Sequence, residues 1–151
     1  MRLEPNSRGS EGALMIDDVI DRWLRYRRSR MPDMLDELLD DDVTYYPPDQ
    51  HAPVTGKEPT KRHLLVAAIV FPFETTASDP PWGHFRYTKR LAAGDTAMLE
   101  FEADLYGGPV NGVDIIRCND AGRIVEFRIF IRPLPALHAA HGRSKAAFEG
   151  L

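Results

Sequence analysis

Asp114 is the residue whose type and position in this chain best suit acid–base chemistry. It lies in the run Gly-Val-Asp-Ile-Ile-Arg-Cys over 112–118, which is typical of a β-strand whose side chains alternate between two faces. If Arg117 lies on a charged outer face, Asp114 points to the apolar inner face, unless a β-bulge reverses the order. Burial would raise the pKa of this carboxyl toward the range of a general acid or base. The alternative is a structural carboxylate that only binds a backbone amide or a hydroxyl.

Tyr46 and His51 are predicted to act beside Asp114. Tyr45 and Tyr46 are adjacent, so only one of them faces the predicted pocket, and we assign that place to Tyr46. Its hydroxyl could orient a ligand or donate a hydrogen bond to an oxyanion, or the ring could simply pack. His51 follows in a loop near the predicted pocket mouth, where it could shuttle protons or be an ordinary surface histidine.

Four further residues are predicted to bind the ligand. Trp23 lies on a predicted helix, and packing in the core is the alternative for it. Phe127 and Ile129 lie on the inner face of the last predicted strand, while Asn111 precedes the strand of Asp114 and would orient the substrate. The sequence therefore predicts an enclosed apolar pocket with one carboxyl at its base.

The sequence carries no signature of a cofactor or a metal. It has no Gly-rich phosphate loop, no Gly-x-Ser-x-Gly elbow and no Ser-His-Asp pattern. His138 and His141 are three residues apart, but no acid or cysteine nearby completes a metal site. We therefore predict no cofactor and no metal.

Length and charge narrow the class of protein and its partners. The 151 residues fit one domain, and the formal net charge of −4 argues against a nucleic-acid partner. No apolar run reaches the roughly 18 residues of a membrane span. Cys118 is the only cysteine, and the polar segment 1–12 lacks the apolar stretch of a signal peptide, so a cytoplasmic location is predicted. The arginines between residues 22 and 30 are predicted to lie mostly on a solvated helix face, with a partner surface as the alternative.

Hydrophobic periodicity predicts three helices and a final helical segment. The first helix carries an apolar stripe that includes Ile16, Val19 and Trp23, and residues 1–12 before it are predicted to be a flexible tail. Prolines open or close the next two helices. The predicted bounds are 13–30, a short helix from Pro32 to the acids at 40–42, a helix between Pro59 and Pro72, and a segment over 136–148.

Alternation of apolar and polar residues predicts strands in the rest of the chain. It is clearest where the apolar residues at 99, 101, 103 and 105 alternate with the acids at 100, 102 and 104. Strands that follow helices in one chain segment favour an α+β layer arrangement with a charged outer face and an apolar inner face. The predicted strands are 43–46, 84–91, 96–106, 112–118 and 123–131, with a loop over 72–83.

Two segments resemble the nuclear-transport-factor-2-like superfamily, especially its SnoaL-like branch. They are the strand-turn-strand run over 111–127 and the Leu-Asp-Asp-Asp-Val-Thr-Tyr-Tyr run over 39–46 with the following Pro-Val-Thr-Gly-Lys. The resemblance implies an α+β fold, a cone of three helices packed on a curved mixed, mainly antiparallel sheet with a central pocket. It also implies a single SnoaL-like domain over 13–151 and a homodimer formed through the outer sheet face.

The resemblance implies different chemistry for different branches. The polyketide-cyclase branch carries an inward Asp in an Asp-x-x-Arg run, which Asp114 and Arg117 match. The general-base position of the steroid-isomerase branch falls at Pro47, which cannot act as a base. In the epoxide-hydrolase pattern, Glu102 and Ile129 stand where an Arg and an Asp are needed. These departures argue against the last two routes.

Three functions remain as hypotheses. The first is a cofactor-free acid–base enzyme, such as an isomerase, cyclase or hydrolase, whose substrate is a small apolar molecule. The second is a non-catalytic carrier of such a molecule, with Asp114 hydrogen-bonded into the scaffold. The third is a dimeric association module, which predicts a filled pocket and an apolar outer patch.

Overall fold

The structure, a computed structural model, describes residues 7–73, 85–105 and 108–151. Four helices and six strands form within these ranges. The helices are α1 Ser7–Ser29, α2 Met34–Leu38, α3 Lys57–Val70 and α4 Leu134–Glu149. The strands are β1 Leu39–Tyr46, β2 Val54–Thr55, β3 Arg86–Ala93, β4 Thr96–Leu105, β5 Gly108–Cys118 and β6 Ile124–Arg132.

The six strands form one curved, open sheet in the order β2-β1-β6-β5-β4-β3. Neighbouring strands are antiparallel except β1 and β6, which run parallel. β5 lies in the interior of the sheet, where Asp114 is paired with Leu99 on β4 and with Ile129 on β6. The predicted α+β fold with a mixed, mainly antiparallel sheet is therefore confirmed.

Apolar side chains from α1 form the centre of the core above the inner face of the sheet. Ile16, Val19 and Ile20 are fully buried, and Trp23 is 3% exposed, so the predicted stripe at helical spacing is observed. Burying an aliphatic side chain of this size contributes about 1.5–3 kcal/mol. The Trp23 ring lies 4.9 Å from that of Phe127 on β6, which fixes α1 against the middle of the sheet.

Several predicted boundaries need correction. α1 begins at Ser7, earlier than the predicted start at residue 13. The acids at 40–42 lie in β1 rather than at the end of a helix, because buried Leu39 already pairs with Ile124 of β6. β5 begins at Gly108, within a predicted turn. Most of the loop predicted over 72–83 lies outside the described residues.

Within the described ranges, no helix combines the length and the apolar character needed to cross a membrane. The cytoplasmic location inferred from the sequence stays a prediction.

Candidate functional site

A cavity of about 170 Å³ lies between the inner face of the sheet and the helices α1, α3 and α4. Most of its wall is apolar or aromatic, and a few polar groups converge on it. This composition is typical of a small-molecule site. The polar and charged residues in the wall are Arg27, Tyr45, Asp49, Gln50, His63, Tyr87, Asp114, His141, Ser144 and Lys145.

Asp114 lies in the cavity wall and is 4% exposed. Its inward orientation follows from the alternation along β5, in which Gly112, Asp114 and Ile116 are buried. Burial raises the pKa of Asp114 to about 7, although the hydrogen bond from Tyr87 and the charge of Arg27 act in the opposite direction. A pKa in this range is one that a general acid or base working near neutral pH requires.

A chain of two hydrogen bonds orients the Asp114 carboxyl. The Tyr87 hydroxyl donates to Oδ2 of Asp114 at 2.6 Å, and Nε1 of Trp23 donates to the same hydroxyl at 3.0 Å. Burial and the nearby Asp114 charge raise the pKa of Tyr87 well above its ordinary value, so the hydroxyl stays protonated. Because the indole can only donate, the Tyr87 proton is directed to the carboxylate.

Tyr45, not Tyr46, faces the cavity. Tyr45 is 3% exposed and lines the cavity wall, whereas the ring of Tyr46 packs under the Arg128 guanidinium at 3.6 Å. The position predicted for Tyr46 is therefore corrected, because adjacent strand residues point to opposite faces. Burial raises the pKa of Tyr45, with Asp114 adding to the shift, so its hydroxyl remains a neutral donor.

Two histidines, His63 and His141, lie in the cavity wall, and the predicted His51 does not. His51 is exposed in the loop after β1 and is not part of the wall, so its predicted position is corrected. The ring of His63 on α3 lies 5.5 Å from that of Tyr45 and 4.7 Å from that of Phe148. Burial lowers the pKa of His63, which favours its neutral form at pH 7.

Three of the four predicted ligand-binding residues line the cavity, namely Trp23, Phe127 and Ile129. Their roles in binding stay predictions. Asn111 does not line it, because its side chain points to the outer face. There its Nδ2 donates to the Phe101 carbonyl at 3.0 Å and to Glu100 Oε2 at 3.2 Å. The predicted place of Asn111 is therefore corrected.

Arg27 and Tyr87 are cavity residues that the sequence analysis missed. Arg27 is 6% exposed, which corrects its assignment to a solvated helix face. It follows Trp23 by four residues, and this spacing alone could have placed it on the buried face of α1. Tyr87 is paired with the inward Phe101 of β4, a register that only the sheet reveals.

The rim of the cavity carries a hydrogen bond between the loop after β1 and α4. Nδ1 of His141 lies 2.7 Å from Oδ2 of Asp49. This contact joins α4 to the loop at the cavity mouth. No group of three or more His, Cys, Asp or Glu residues that could hold a metal is found in the described part of the chain.

Comparisons with known proteins agree with this architecture. A steroid delta-isomerase from Pseudomonas aeruginosa superposes with a TM-score of 0.79 at 24% identity, covering 99% of this chain and 97% of that one. An uncharacterized protein with a cystatin-like fold from Silicibacter pomeroyi DSS-3 gives 0.73 at 26% identity, covering 85% and 83%. An NTF2-like protein of unknown function from Mesorhizobium loti gives 0.63 at 23% identity, covering 88% and 100%.

Among curated proteins, none matches the chain. The model of the SnoaL-like domain, in contrast, matches residues 20–127, a range that contains Trp23, Arg27, Tyr45, Tyr87 and Asp114. This match spans more than half of the sequence and includes most of the cavity wall. The chain therefore belongs to the SnoaL-like domain family, with the nuclear-transport-factor-2-like fold.

Proposed function

We propose that this chain is a cofactor-free acid–base enzyme that acts on a small apolar molecule, with Asp114 as the residue that transfers the proton. The observation that carries the proposal is a carboxyl, 4% exposed, held in the wall of an aromatic cavity by the Tyr87 hydroxyl. A desolvated carboxyl with a pKa of about 7 is matched to proton transfer near neutral pH.

The chemistry that fits one such carboxyl is the movement of a proton between two carbons. Asp114 as carboxylate would accept a proton from a carbon next to a carbonyl group, and the C–H electron pair would delocalise onto the carbonyl oxygen. The Tyr45 hydroxyl, which lines the same cavity, would donate a hydrogen bond to that oxygen. Protonated Asp114 would then return the proton to another carbon, which completes an isomerisation.

The size of the cavity favours a small substrate. Its volume of about 170 Å³ is below the roughly 300–1,000 Å³ of sites for drug-sized ligands. The steroid delta-isomerase of similar fold is less than 25% identical, so its fold supports only the choice of isomerisation as the first reaction to test. Small ketones with a double bond one carbon away from conjugation are the substrates to try first.

Cyclohex-3-enone tests the proposal directly, because its isomerisation to the conjugated ketone changes the ultraviolet absorbance. We expect turnover by the wild type, loss of at least about 100-fold in Asp114→Asn, and little change in the outer-face control Glu126→Gln. Deuterium uptake from D₂O extends the test to other small ketones. Asp114→Asn activity equal to that of the wild type would contradict the proposal. So would a carboxyl pKa, measured by NMR, near the ordinary value.

A carrier without catalysis is the second candidate, because Oδ2 of Asp114 already accepts a hydrogen bond from the scaffold. The carrier predicts saturable binding of small ketones without any deuterium exchange or isomerisation. It also predicts that Asp114→Asn binds these ketones as well as the wild type does. The enzyme predicts exchange that depends on Asp114, so the same samples distinguish the two functions.

We also propose that the chain forms a homodimer through the outer face of the sheet. Leu91 and Phe130 are 57% and 54% exposed on this face, and half-buried Met98, Val113 and Ile115 connect them across the strands. Ion pairs along the same strands give this apolar strip a charged border, the arrangement of an interface core with a polar rim. Because the border carries charges of both signs, a second copy related by a two-fold axis would bring opposite charges together around the apolar strip.

Light scattering at micromolar concentration tests the dimer. We expect a mass twice the 17.1 kDa of the chain for the wild type and the monomer mass for Phe130→Lys. Ile69→Lys is the matched control, because Ile69 is 59% exposed on α3, away from the sheet face. A monomeric wild type, or the same mass for Phe130→Lys as for the wild type, would contradict the interface.

A further inference from the structure

Arg27 is a buried cation in the wall of the cavity that contains Asp114. Its Nη2 donates to the carbonyl oxygen of Phe71 at 2.6 Å, at the end of α3. The guanidinium carbon lies 4.7 Å from the ring centroid of Phe85 and 5.7 Å from that of Phe73. The head of this side chain is thus held in place by a carbonyl and two aromatic rings.

Within the described residues, the charge and one donor of Arg27 have no partner. Its Nε is buried, and no hydrogen-bond partner for it is found in that part of the chain. Arg27 takes part in none of the ion pairs found among the described residues, although the more exposed Arg22 and Arg90 have acid partners. A buried cation without a counter-ion is costly, and the aromatic rings offset only part of that cost.

Asp114 does not serve as the counter-ion. The charge of Arg27 opposes the rise in the pKa of Asp114, but no hydrogen bond or ion pair joins the two side chains. Its hydrogen bond comes from Tyr87 instead. The cavity therefore contains a proton-transfer group and a separate fixed positive charge, and the second has no partner in the described part of the chain.

We infer that Arg27 binds a carboxylate group on the ligand, whose apolar body occupies the cavity beside Asp114. The inference rests on the proposed function of this cavity and names the substrate class, a small apolar acid. The planar guanidinium presents Nε–H and a terminal N–H on one edge, the geometry that two carboxylate oxygens match. A ligand of this class would pair both the free donor and the charge.

Two matched probes test the inference by binding alone, cyclohexanecarboxylate and its neutral isostere cyclohexanecarboxamide. By calorimetry at neutral pH we expect the wild type to bind the carboxylate at least about tenfold more tightly than the amide. Arg27→Gln should lose this preference. Arg27→Lys should retain only part of it, because the ammonium group is a point charge without the two parallel N–H donors of the guanidinium. The exposed neighbour in Arg28→Gln is the control and should keep the full preference.

Three outcomes would overturn the inference. They are equal affinity of the wild type for the two probes, no binding of the carboxylate at millimolar concentration, and a preference that survives in Arg27→Gln. If Arg27→Gln does not fold, the inference is tested by the affinities of the wild type and of Arg27→Lys for the carboxylate and the amide. Methyl NMR identifies the site, because Ile129 lines this cavity and Ile69 lines a separate cleft that Arg27 also borders. Shifts at Ile69 alone would contradict the inference.

The proposed function and this inference can fail separately. The carboxylate preference should persist in Asp114→Asn, because Arg27 and not Asp114 carries it. If the enzyme hypothesis is wrong, the preference remains while turnover is absent. If the inference alone is wrong, ketone turnover depends on Asp114 while the two probes bind equally.

Discussion

The two faces of the sheet shift the pKa values of their carboxyl groups in opposite directions. On the inner face, Asp114 forms no ion pair with the described residues, and burial raises its pKa to about 7 despite the opposing charge of Arg27. On the outer face, Glu126 lies 2.8 Å from Nε of Arg128 and 3.5 Å from Arg117, and the hydrogen bond from Arg128 lowers its pKa. Asp114 and Arg117 are only three residues apart on β5. Desolvation, rather than the density of charge, therefore separates the raised pKa of Asp114 from the lowered pKa of Glu126.

The largest expected effect comes from removing the inner-face charge. The pKa of Asp114 is 3.8 unfolded and about 7 folded, so between these values the folded state holds a proton that the unfolded state has released. The free energy of unfolding therefore falls as the pH rises through this window and is level above it. A difference of about three pKa units corresponds to about 4 kcal/mol. We expect Asp114→Asn to be more stable than the wild type by up to that amount near pH 8.

Urea denaturation at several pH values checks this expectation. The gain of Asp114→Asn should shrink steadily as the pH falls from about 7 toward 3.8, and it should vanish below that value, where the wild-type carboxyl is protonated in both states. A variant that is less stable than the wild type near pH 8 would mean that the charged form of Asp114 is well paired. The enzyme hypothesis would then lose its physical basis.

Gly112 allows the packing of the inner face, rather than its charge, to be tested. A Cβ at this inner-face position would collide with the ring of Phe101 and with the backbone carbonyl of Phe130 on β6. Because the carbonyl belongs to a paired strand, it cannot move aside without disturbing the sheet. We expect Gly112→Ala to lower the free energy of unfolding by about 1–3 kcal/mol, measured by urea denaturation.

Gly142 supplies the matched control for that substitution. It lies in α4, and a Cβ there would meet nothing within 4 Å. Gly142→Ala should therefore stabilise the protein by about 0.5–1 kcal/mol through helix propensity. Similar effects of the two substitutions would show that the inner face is less closely packed than the contacts at Gly112 indicate.

Alternation along the strands was enough to predict the orientation of Asp114. The acids of β4 and the arginines of β6 defined an outer face, and Asp114 then had to point inward. The same rule favours Tyr45 over Tyr46, because Tyr45 shares a face with the apolar Val43, and both are buried. The prediction of Tyr46 did not apply the alternation to this short strand.

Chemical type misled the sequence analysis where spacing was informative. Arg27 lies one helical turn after Trp23, but its charge suggests a solvated face. No sequence rule predicts that its guanidinium will pack on the Phe85 ring and donate a hydrogen bond to the Phe71 carbonyl. His51 was chosen because it lies near the predicted mouth, whereas His63 reaches the cavity from α3. Tertiary contacts between distant segments decide such positions, and a single sequence does not contain them.

Removal of the Tyr87 hydroxyl is expected to change the pKa of Asp114, with a smaller effect on stability than that of Asp114→Asn. Its hydrogen bond favours the ionised form of Asp114, so Tyr87→Phe should raise the pKa of that carboxyl further. The rising limb of the pH–rate profile should move to higher pH, because the base form becomes populated later. Loss of the partner of Trp23 Nε1 should also cost about 1 kcal/mol of stability. Tyr46→Phe, on the outer face, is the control and should leave the profile unchanged.

The smallest effect should come from the outer-face carboxyl, with the opposite sign to that of Asp114. The lowered pKa of Glu126 stabilises the folded state above the unfolded value of 4.5 and is lost as the pH falls. Glu126→Gln should therefore destabilise the protein near pH 8, by less than about 1 kcal/mol because the pairs with Arg117 and Arg128 reach solvent. High salt should weaken this loss by screening the exposed pairs, whereas it should leave the gain of Asp114→Asn nearly unchanged. If both substitutions shifted stability in the same direction, burial would not be the cause that separates the two faces.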